Sequence, residues 1–439
     1  MSGAVHLLAN ATAAGSPSDP AARLALALGL LLVAARLGGE LAARLGQPQV
    51  LGELVAGAAL GAVGTMGGVA FVHDLGTDPS LDMLGRLGAI LLLFDAGLAL
   101  DVRDVLRVGG AAARVAVLGS AASLALGWAA AAWLLPGAAP VTRAFLAAAV
   151  GATSVGISAR VLQDLGRMHT VEARTILGAA VLDDVIGLVA LSIVTGWAAG
   201  VSAAEPGLAR ATALLALVAK AVAFFAGTIL LGRALAPRLL AATALLRTRR
   251  ALVVAGLAFC FLLAWAADAI GLAPIVGAFT AGLVLDEAHW RPFIARGEPG
   301  LDQEIEPLSA FLVPLFFALL GLRADLRVFA DPGALLLALG LTVAAVLGKL
   351  ACGLGAAPGS NRLAVACGMV PRGEVTLIFA SLGLSLGGAE HPVLDRRAYS
   401  ALVAVVVLTT LVTPFALKWS FARGGSAPAA GAPRARAPS

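Results

Sequence analysis

Ala180-Val181-Leu182-Asp183-Asp184-Val185-Ile186-Gly187 sets two adjacent acids in the middle of an apolar run from about residue 172 to residue 199. About ten apolar or small residues flank the pair on each side, too many for either carboxylate to snorkel to a water interface. On a helix, neighbouring residues point about 100° apart, so the two acids meet different surroundings. One is placed to face a watery cavity while the other faces a partner inside a bundle. Ionisable groups at bilayer depth cost about 2.5–3.5 kcal/mol each on insertion scales, which marks them as functional candidates.

That the surrounding run lies in a bilayer follows from the whole chain. Of 439 residues, 60% are hydrophobic and 13% charged, leaving too few polar groups to coat a water-soluble surface. Apolar segments of roughly the 20 residues needed to span a bilayer recur almost end to end. About thirteen are expected, near 22–44, 48–64, 82–100, 109–134, 141–163, 172–199, 208–235, 250–268, 271–286, 304–322, 333–356, 362–387 and 397–419. The segment at 271–286 is short enough to be re-entrant. The fold class is therefore an all-α polytopic membrane protein.

The net charge of +5 comes from basic residues in short inter-segment loops, which suits orientation in a membrane better than nucleic-acid binding. Arg44, Arg103, Arg107, Arg167, Arg174, Arg247, Arg249, Arg291 and Arg296 fall in alternate loops, and Lys418 and Arg423 follow the last segment. This bias predicts a cytoplasmic C-terminus and, with an odd number of spans, an N-terminus outside. Cys260, Cys352 and Cys367 lie singly in apolar runs and read as small buried hydrophobes. No cleaved signal peptide and no soluble regulatory domain are expected. Residues 1–21 read as an extracytoplasmic segment and 421–439 as a disordered cytoplasmic tail.

Lys349, in the eleventh segment, is a candidate partner for the acid pair. The chain has only three lysines, and a lysine loses its proton when buried far more readily than an arginine does. Snorkelling near the segment's end is the other reading of Lys349, and the favoured one for Lys220. Two segments look broken. The fifth carries Gly151-Ala152-Thr153-Ser154-Val155-Gly156-Ile157-Ser158, and the twelfth carries Gly368-Met369-Val370-Pro371-Arg372-Gly373-Glu374-Val375. Non-helical backbone at this depth is tolerated only where protein or a watery cavity satisfies it. Where two such breaks face each other, half-helix ends and freed carbonyls make an ion site. Gly-rich packing alone is the other account of the fifth segment. The order "broken, Asp-Asp" in one three-segment set and "Lys, broken" in another is the pattern of an inverted-topology repeat.

Further motifs run the length of the chain: Gly46-Gln47-Pro48-Gln49-Val50-Leu51-Gly52-Glu53 with Ala56-Gly57, and Leu91-Leu92-Leu93-Phe94-Asp95-Ala96-Gly97-Leu98. Gly277-Ala278-Phe279, Ala281-Gly282 and Val313-Pro314-Leu315-Phe316-Phe317 come later. With the acid pair and the two breaks, the chain resembles the cation:proton antiporter superfamily, in the branch of NapA-type sodium/proton antiporters and Kef-type potassium efflux systems. The resemblance covers about residues 22–420.

It implies an antiporter fold with two crossing broken helices and a homodimer in which a core moves against a scaffold, as in an elevator. The core would comprise about 109–199 and 333–419, and the scaffold about 22–100 and 208–322. Asp184 resembles the ion-binding carboxylate, Asp183 the acid paired with a lysine, and Thr153 and Ser154 the unwound stretch beside the ion. Pro371, Arg372 and Glu374 match the second crossing helix. Kef-type chains usually have Gln where Asp183 stands, so Asp-Asp favours sodium or lithium over potassium. Asp95 departs from many relatives and reads either as a pH-sensitive group near the mouth or as a structural partner of Arg86. The expected function is secondary active exchange of protons for sodium in a bacterial cytoplasmic membrane, with both ions competing for Asp184 and no cofactor. Potassium/proton exchange is the nearest alternative and a cation channel a further one. An intramembrane aspartyl protease fits poorly, because Leu182-Asp183-Asp184 lacks the Gly-x-Gly-Asp setting.

Overall fold

The computed structural model describes residues 19–66, 69–100, 102–198, 219–220, 222–230, 232, 251–285, 299–323, 331–386 and 392–423. Among these residues the regular structure is helical. In chain order the helices are α1 (Pro20–Arg44), α2 (Gln49–Met66), α3 (Ala70–Leu75), α4 (Pro79–Leu98), α5 (Val102–Leu134), α6 (Pro140–Gly151), α7 (Val155–Asp164) and α8 (Val171–Ala198). They continue as α9 (Ala251–Ala269), α10 (Pro274–Val284), α11 (Leu301–Leu322), α12 (Pro332–Leu350), α13 (Arg362–Gly368), α14 (Glu374–Ser385) and α15 (Arg396–Arg423). A short 3-10 turn, Ala351–Gly355, follows α12. Among the described residues, eight helical stretches are long and apolar enough to cross a bilayer, and Gln49–Thr65, Pro274–Val284 and Val375–Leu384 are shorter apolar helices. Of the thirteen expected segments, the one at 208–235 lies largely outside the described residues, so the count of thirteen is not settled by them.

The helices sort their apolar residues by packing rather than by polarity. On α12, Leu337, Leu341 and Ala345 are buried, while Leu336, Leu339, Val343 and Leu347 are exposed. The exposed row is as apolar as the buried one because lipid, not water, is its solvent. Lys349 continues the buried row Leu341–Ala345 at four-residue spacing, so it points inward with no exposed surface. Snorkelling is thereby excluded for Lys349, whereas Lys220 is exposed.

Buried side chains collect in several places. One cluster joins α1, α4 and α11 through Ala27, Leu31, Leu81, Leu315 and Leu319. Another joins α6, α12, α14 and α15 through Phe145, Leu341, Phe379 and Leu402, with Phe145 and Phe379 edge to face at 5.7 Å. A third lies between them and includes Leu54, Leu93, Ile157, Ile176, Phe317 and Val365. At one end of the bundle Asn361 caps α13 through the Ala364 amide (3.1 Å) and donates to the Ser420 carbonyl (2.8 Å). Its own amide donates to the buried Glu172 carboxylate at 2.7 Å, which ties α8, α13 and α15 together.

The sequence around Gly46 becomes intelligible here. Gly46 turns the chain at φ 67°, a left-handed conformation suited to glycine. Gly52 then lets the backbones of α1 and α2 touch, since a Cβ on Gly52 would run into the Gly38 carbonyl, and one on Gly38 into that of Gly52. Gly52→Val should therefore lower stability by about 1–3 kcal/mol or prevent folding, read as a lower melting midpoint in detergent. An unchanged midpoint would show that α1 and α2 separate without cost.

Candidate functional site

The two breaks expected from sequence are real interruptions, and they meet. Ala152 and Ser154 adopt extended backbone between α6 and α7, so close packing of glycines is not the account of the fifth segment. Met369 to Gly373 separate α13 from α14. Each break leaves the last carbonyls of one half-helix and the first amides of the next without helical partners. The other break supplies many of them. The Ser154 amide donates to the Pro371 carbonyl at 2.9 Å, and the Thr153 hydroxyl donates to the Met369 carbonyl at 3.1 Å.

One turn further out the exchange is reciprocal. Ser158 of α7 donates to the Gly368 carbonyl at the end of α13 (2.6 Å), and Thr376 of α14 donates to the Ala149 carbonyl near the end of α6 (2.8 Å). Gly373 is required by the crossing, because a Cβ there would lie 2.6 Å from Ser154 Oγ.

Arg372 completes the second break. Its side chain is fully buried, and its guanidinium donates to the carbonyls of Met369 (3.3 Å), Val370 (3.0 Å) and Ala345 (3.1 Å). The planar fork reaches acceptors on both the break and α12, which a lysine's single ammonium cannot do. Thr409 and Thr410 of α15 serve the Arg372 backbone, one accepting from its amide (3.2 Å) and one donating to its carbonyl (3.1 Å). Pro371 has no amide to satisfy. Glu374 opens α14, and its side chain lies outside the described residues.

Against this crossing lies α8. Asp183 and Asp184 are both buried, and Gly187, four residues beyond Asp183, packs by Ala152 and Val375. Asp183 accepts from Lys349 Nζ on both oxygens, at 2.8 and 2.9 Å, in a pair almost wholly withdrawn from solvent. The Thr153 amide donates to its Oδ2 at 2.7 Å, and the Ser120 hydroxyl of α5 donates to its Oδ1. Four hydrogen bonds from three groups thus use the roughly four acceptor positions of one carboxylate. Asp184, also buried, is the next residue on α8 and points about 100° further round the helix. Ser154 Oγ is buried beside the crossing with no hydrogen-bond partner.

Asp95 is a correction. The expected structural partner Arg86 instead binds Asp82, one turn back on α4, at 2.7 Å. Asp95 accepts from Gln163 Nε2 of α7 at 3.0 Å. It belongs to a clasp around the end of α7 that sequence reading did not find. Arg160 pairs with Glu53 of α2 (3.2 Å) and with Asp164 (3.2 Å), and Asp164 accepts from the Val50 amide (3.0 Å). A cavity of about 790 Å³ opens beside the clasp, lined by Glu53, Asp95, Arg160, Asp302 and Glu306 among others. Glu53 carried a visible signal, a carboxylate inside an apolar helix, whereas Ser120 carried none, since serines are common in packed membrane helices.

Residues 28–423 match the family described as sodium/hydrogen exchanger, transmembrane. The chain belongs to that family. It is 33% identical over 423 residues to the high-affinity Na(+)/H(+) antiporter NhaS3 of Synechocystis sp., covering 89% of this chain and 88% of that one. It is 34% identical over 400 residues to the Na(+)/H(+)-K(+) antiporter GerN of Bacillus cereus, covering 90% and 95%. The sodium proton antiporter MjNhaP1 of Methanocaldococcus jannaschii shares the fold, with a TM-score of 0.65 at 18% identity over 93% of this chain and 100% of that one.

In this exchanger the Arg372 side chain gives three hydrogen bonds to the crossing and α12. Arg372→Met should strip one donor from each of three buried carbonyls, of which Met369 keeps the Thr153 hydroxyl, costing about 1–3 kcal/mol where no donor remains. The expected result is a large drop in melting midpoint that Arg372→Lys does not restore. A lysine variant melting like the wild type would show that charge alone suffices there.

Proposed function

We propose that the protein exchanges protons for sodium, or lithium, across a bacterial cytoplasmic membrane. The observation that carries this reading is the engagement of Asp183 on both oxygens by Lys349, Ser120 and the Thr153 amide. With Asp183 so occupied, competition between a proton and a cation falls to Asp184. A cation there would take hard oxygen ligands from Asp184, Thr153, Ser154 and freed carbonyls of the crossing, and a proton would displace it by neutralising the same carboxylate. Each loaded form is closer to neutral than the empty site, so it crosses the bilayer's barrier more readily. Asp183–Lys349 acts as a second, proton-linked pair that opens when sodium binds and closes when it leaves.

The same reading assigns α5–α8 and α12–α15 to a core that moves against a scaffold in a homodimer, related to itself by an inverted repeat. It places the C-terminus in the cytoplasm and the N-terminus outside. On this reading the clasp at the end of α7 lies between core and scaffold, where Arg160–Glu53, Gln163–Asp95 and Asp164–Val50 join α7 to α2 and α4. Under alternating access these contacts break and reform in each cycle.

The activities named for the relatives favour exchange over a channel and keep potassium as the nearest alternative. The names GerN bears include K(+), and the chain is 27% identical over 403 residues to K(+) efflux antiporter 4 of Arabidopsis thaliana, covering 90% of this chain and 64% of that one. Proteoliposomes with an internal pH dye, given sodium, lithium, potassium and chloride in turn under a clamped potential, separate these readings. Sodium- or lithium-driven proton flux is expected; flux driven by potassium alone would favour the alternative, and current without a proton gradient would indicate a channel.

Asp184→Asn should abolish sodium-driven proton flux, and retained flux would sink its assignment. Lys349→Ala should weaken exchange or alter its voltage and pH dependence; unchanged behaviour would remove the lysine from the mechanism. Glu53→Gln should change the saturating exchange rate severalfold with less effect on half-saturation, while an unchanged rate would mean that the α2–α7 contact is not remade during turnover.

A further inference from the structure

We propose that Ser120 is a positioning residue of the exchange site, holding the Asp183 carboxylate in place when Lys349 lets go. The proposal rests on the exchange reading above and adds a residue from α5 to the acid pair's surroundings. Ser120 is buried on α5, and its hydroxyl donates to Asp183 Oδ1, the oxygen that also accepts from Lys349 Nζ at 2.8 Å.

Local packing brings these groups to one carboxylate. The antiparallel seam between α5 and α12 is built on glycines. A Cβ on Gly119 would press into Cys352 Sγ and come within 3.2 Å of Lys349 Cδ, and one on Gly348 would lie 2.5 Å from Ser123 Cα. With side chains at both positions the helices would stand apart, and Ser120 and Lys349 could not share Asp183. The seam holds a second hydroxyl as a natural control. Ser123 Oγ, almost one turn along the same helix, is buried without a hydrogen-bond partner.

The bond has unequal value in the two states of the pair. While Lys349 is attached, Asp183 has a counter-charge and three donor groups. Once Lys349 leaves, Ser120 and the Thr153 amide are the two that remain. A buried carboxylate bereft of its ammonium depends on such donors to stay charged and fixed. The Thr153 amide belongs to the break itself, so a well-placed Asp183 also fixes the stretch that carries Thr153 and Ser154. Removing the Ser120 hydroxyl therefore weakens the state in which Lys349 is released, the one that the exchange reading couples to sodium.

The test uses full-length protein in proteoliposomes at fixed pH, measuring half-saturating sodium and saturating rate. Ser120→Ala should raise half-saturating sodium by about tenfold, the worth of a hydrogen bond to a charged group, with a saturating rate close to wild type. Ser123→Ala should leave both values unchanged. Ser120→Thr and Ser120→Val provide a pair of similar volume that differs in the hydroxyl, so the comparison survives a poorly folding alanine variant. Val should need about tenfold more sodium than Thr. Equal half-saturation for Thr and Val, or the same rise in Ser123→Ala as in Ser120→Ala, would overturn the proposal. A wild-type protein with no sodium-driven flux would instead overturn the exchange reading on which it rests.

Discussion

A hydrocarbon interior offers a freed peptide group nothing to bond with, and this constraint organises the molecule. Two helices stop at bilayer depth, and each can do so because the other is there. The Ser154 amide meets the Pro371 carbonyl, Thr153 meets Met369, and Ser158 and Thr376 reach across to the last carbonyls of the opposite half-helix. Neither break would be stable alone, so the crossing forms as a unit. Arg372 then ties it to α12 through Ala345, and Thr409 and Thr410 tie it to α15. The helices that surround the crossing are thereby fixed relative to it.

The electrostatics follow from the crossing. A carboxylate and an ammonium buried together gain from each other only if their remaining hydrogen-bonding capacity is filled. Asp183 meets that condition because the Thr153 amide is exposed by the break and because glycines draw α5 close enough for Ser120 to contribute. Two adjacent residues on α8 thus come to hold different positions. Asp183 is locked into a network, and Asp184 is the residue for which the exchange chemistry is proposed.

Much of this architecture was legible because charge is scarce. In a chain with 13% charged residues, Asp183, Asp184, Lys349 and the Pro-Arg-Gly-Glu break stand out against their apolar surroundings. The same reasoning could not see Ser120, Ser158, Thr376, Thr409 or Thr410, because hydroxyls cost too little in a membrane helix to attract notice. It also misassigned Arg86, which has Asp82 one turn away as a ready local partner, while Asp95 reaches a glutamine on another helix.

By itself the sequence determined the membrane class, the apolar segments, the two interruptions and the acids and lysine that need a reason to be buried. It did so because length, insertion cost and proline or glycine chemistry act locally. Tertiary structure decided which way each helix faces. In α12 the lipid-facing and buried rows are equally apolar, so no hydrophobic contrast predicts that Lys349 points inward. Only the packing of α5 against both α12 and α8, through glycines that admit close approach, places its ammonium on Asp183.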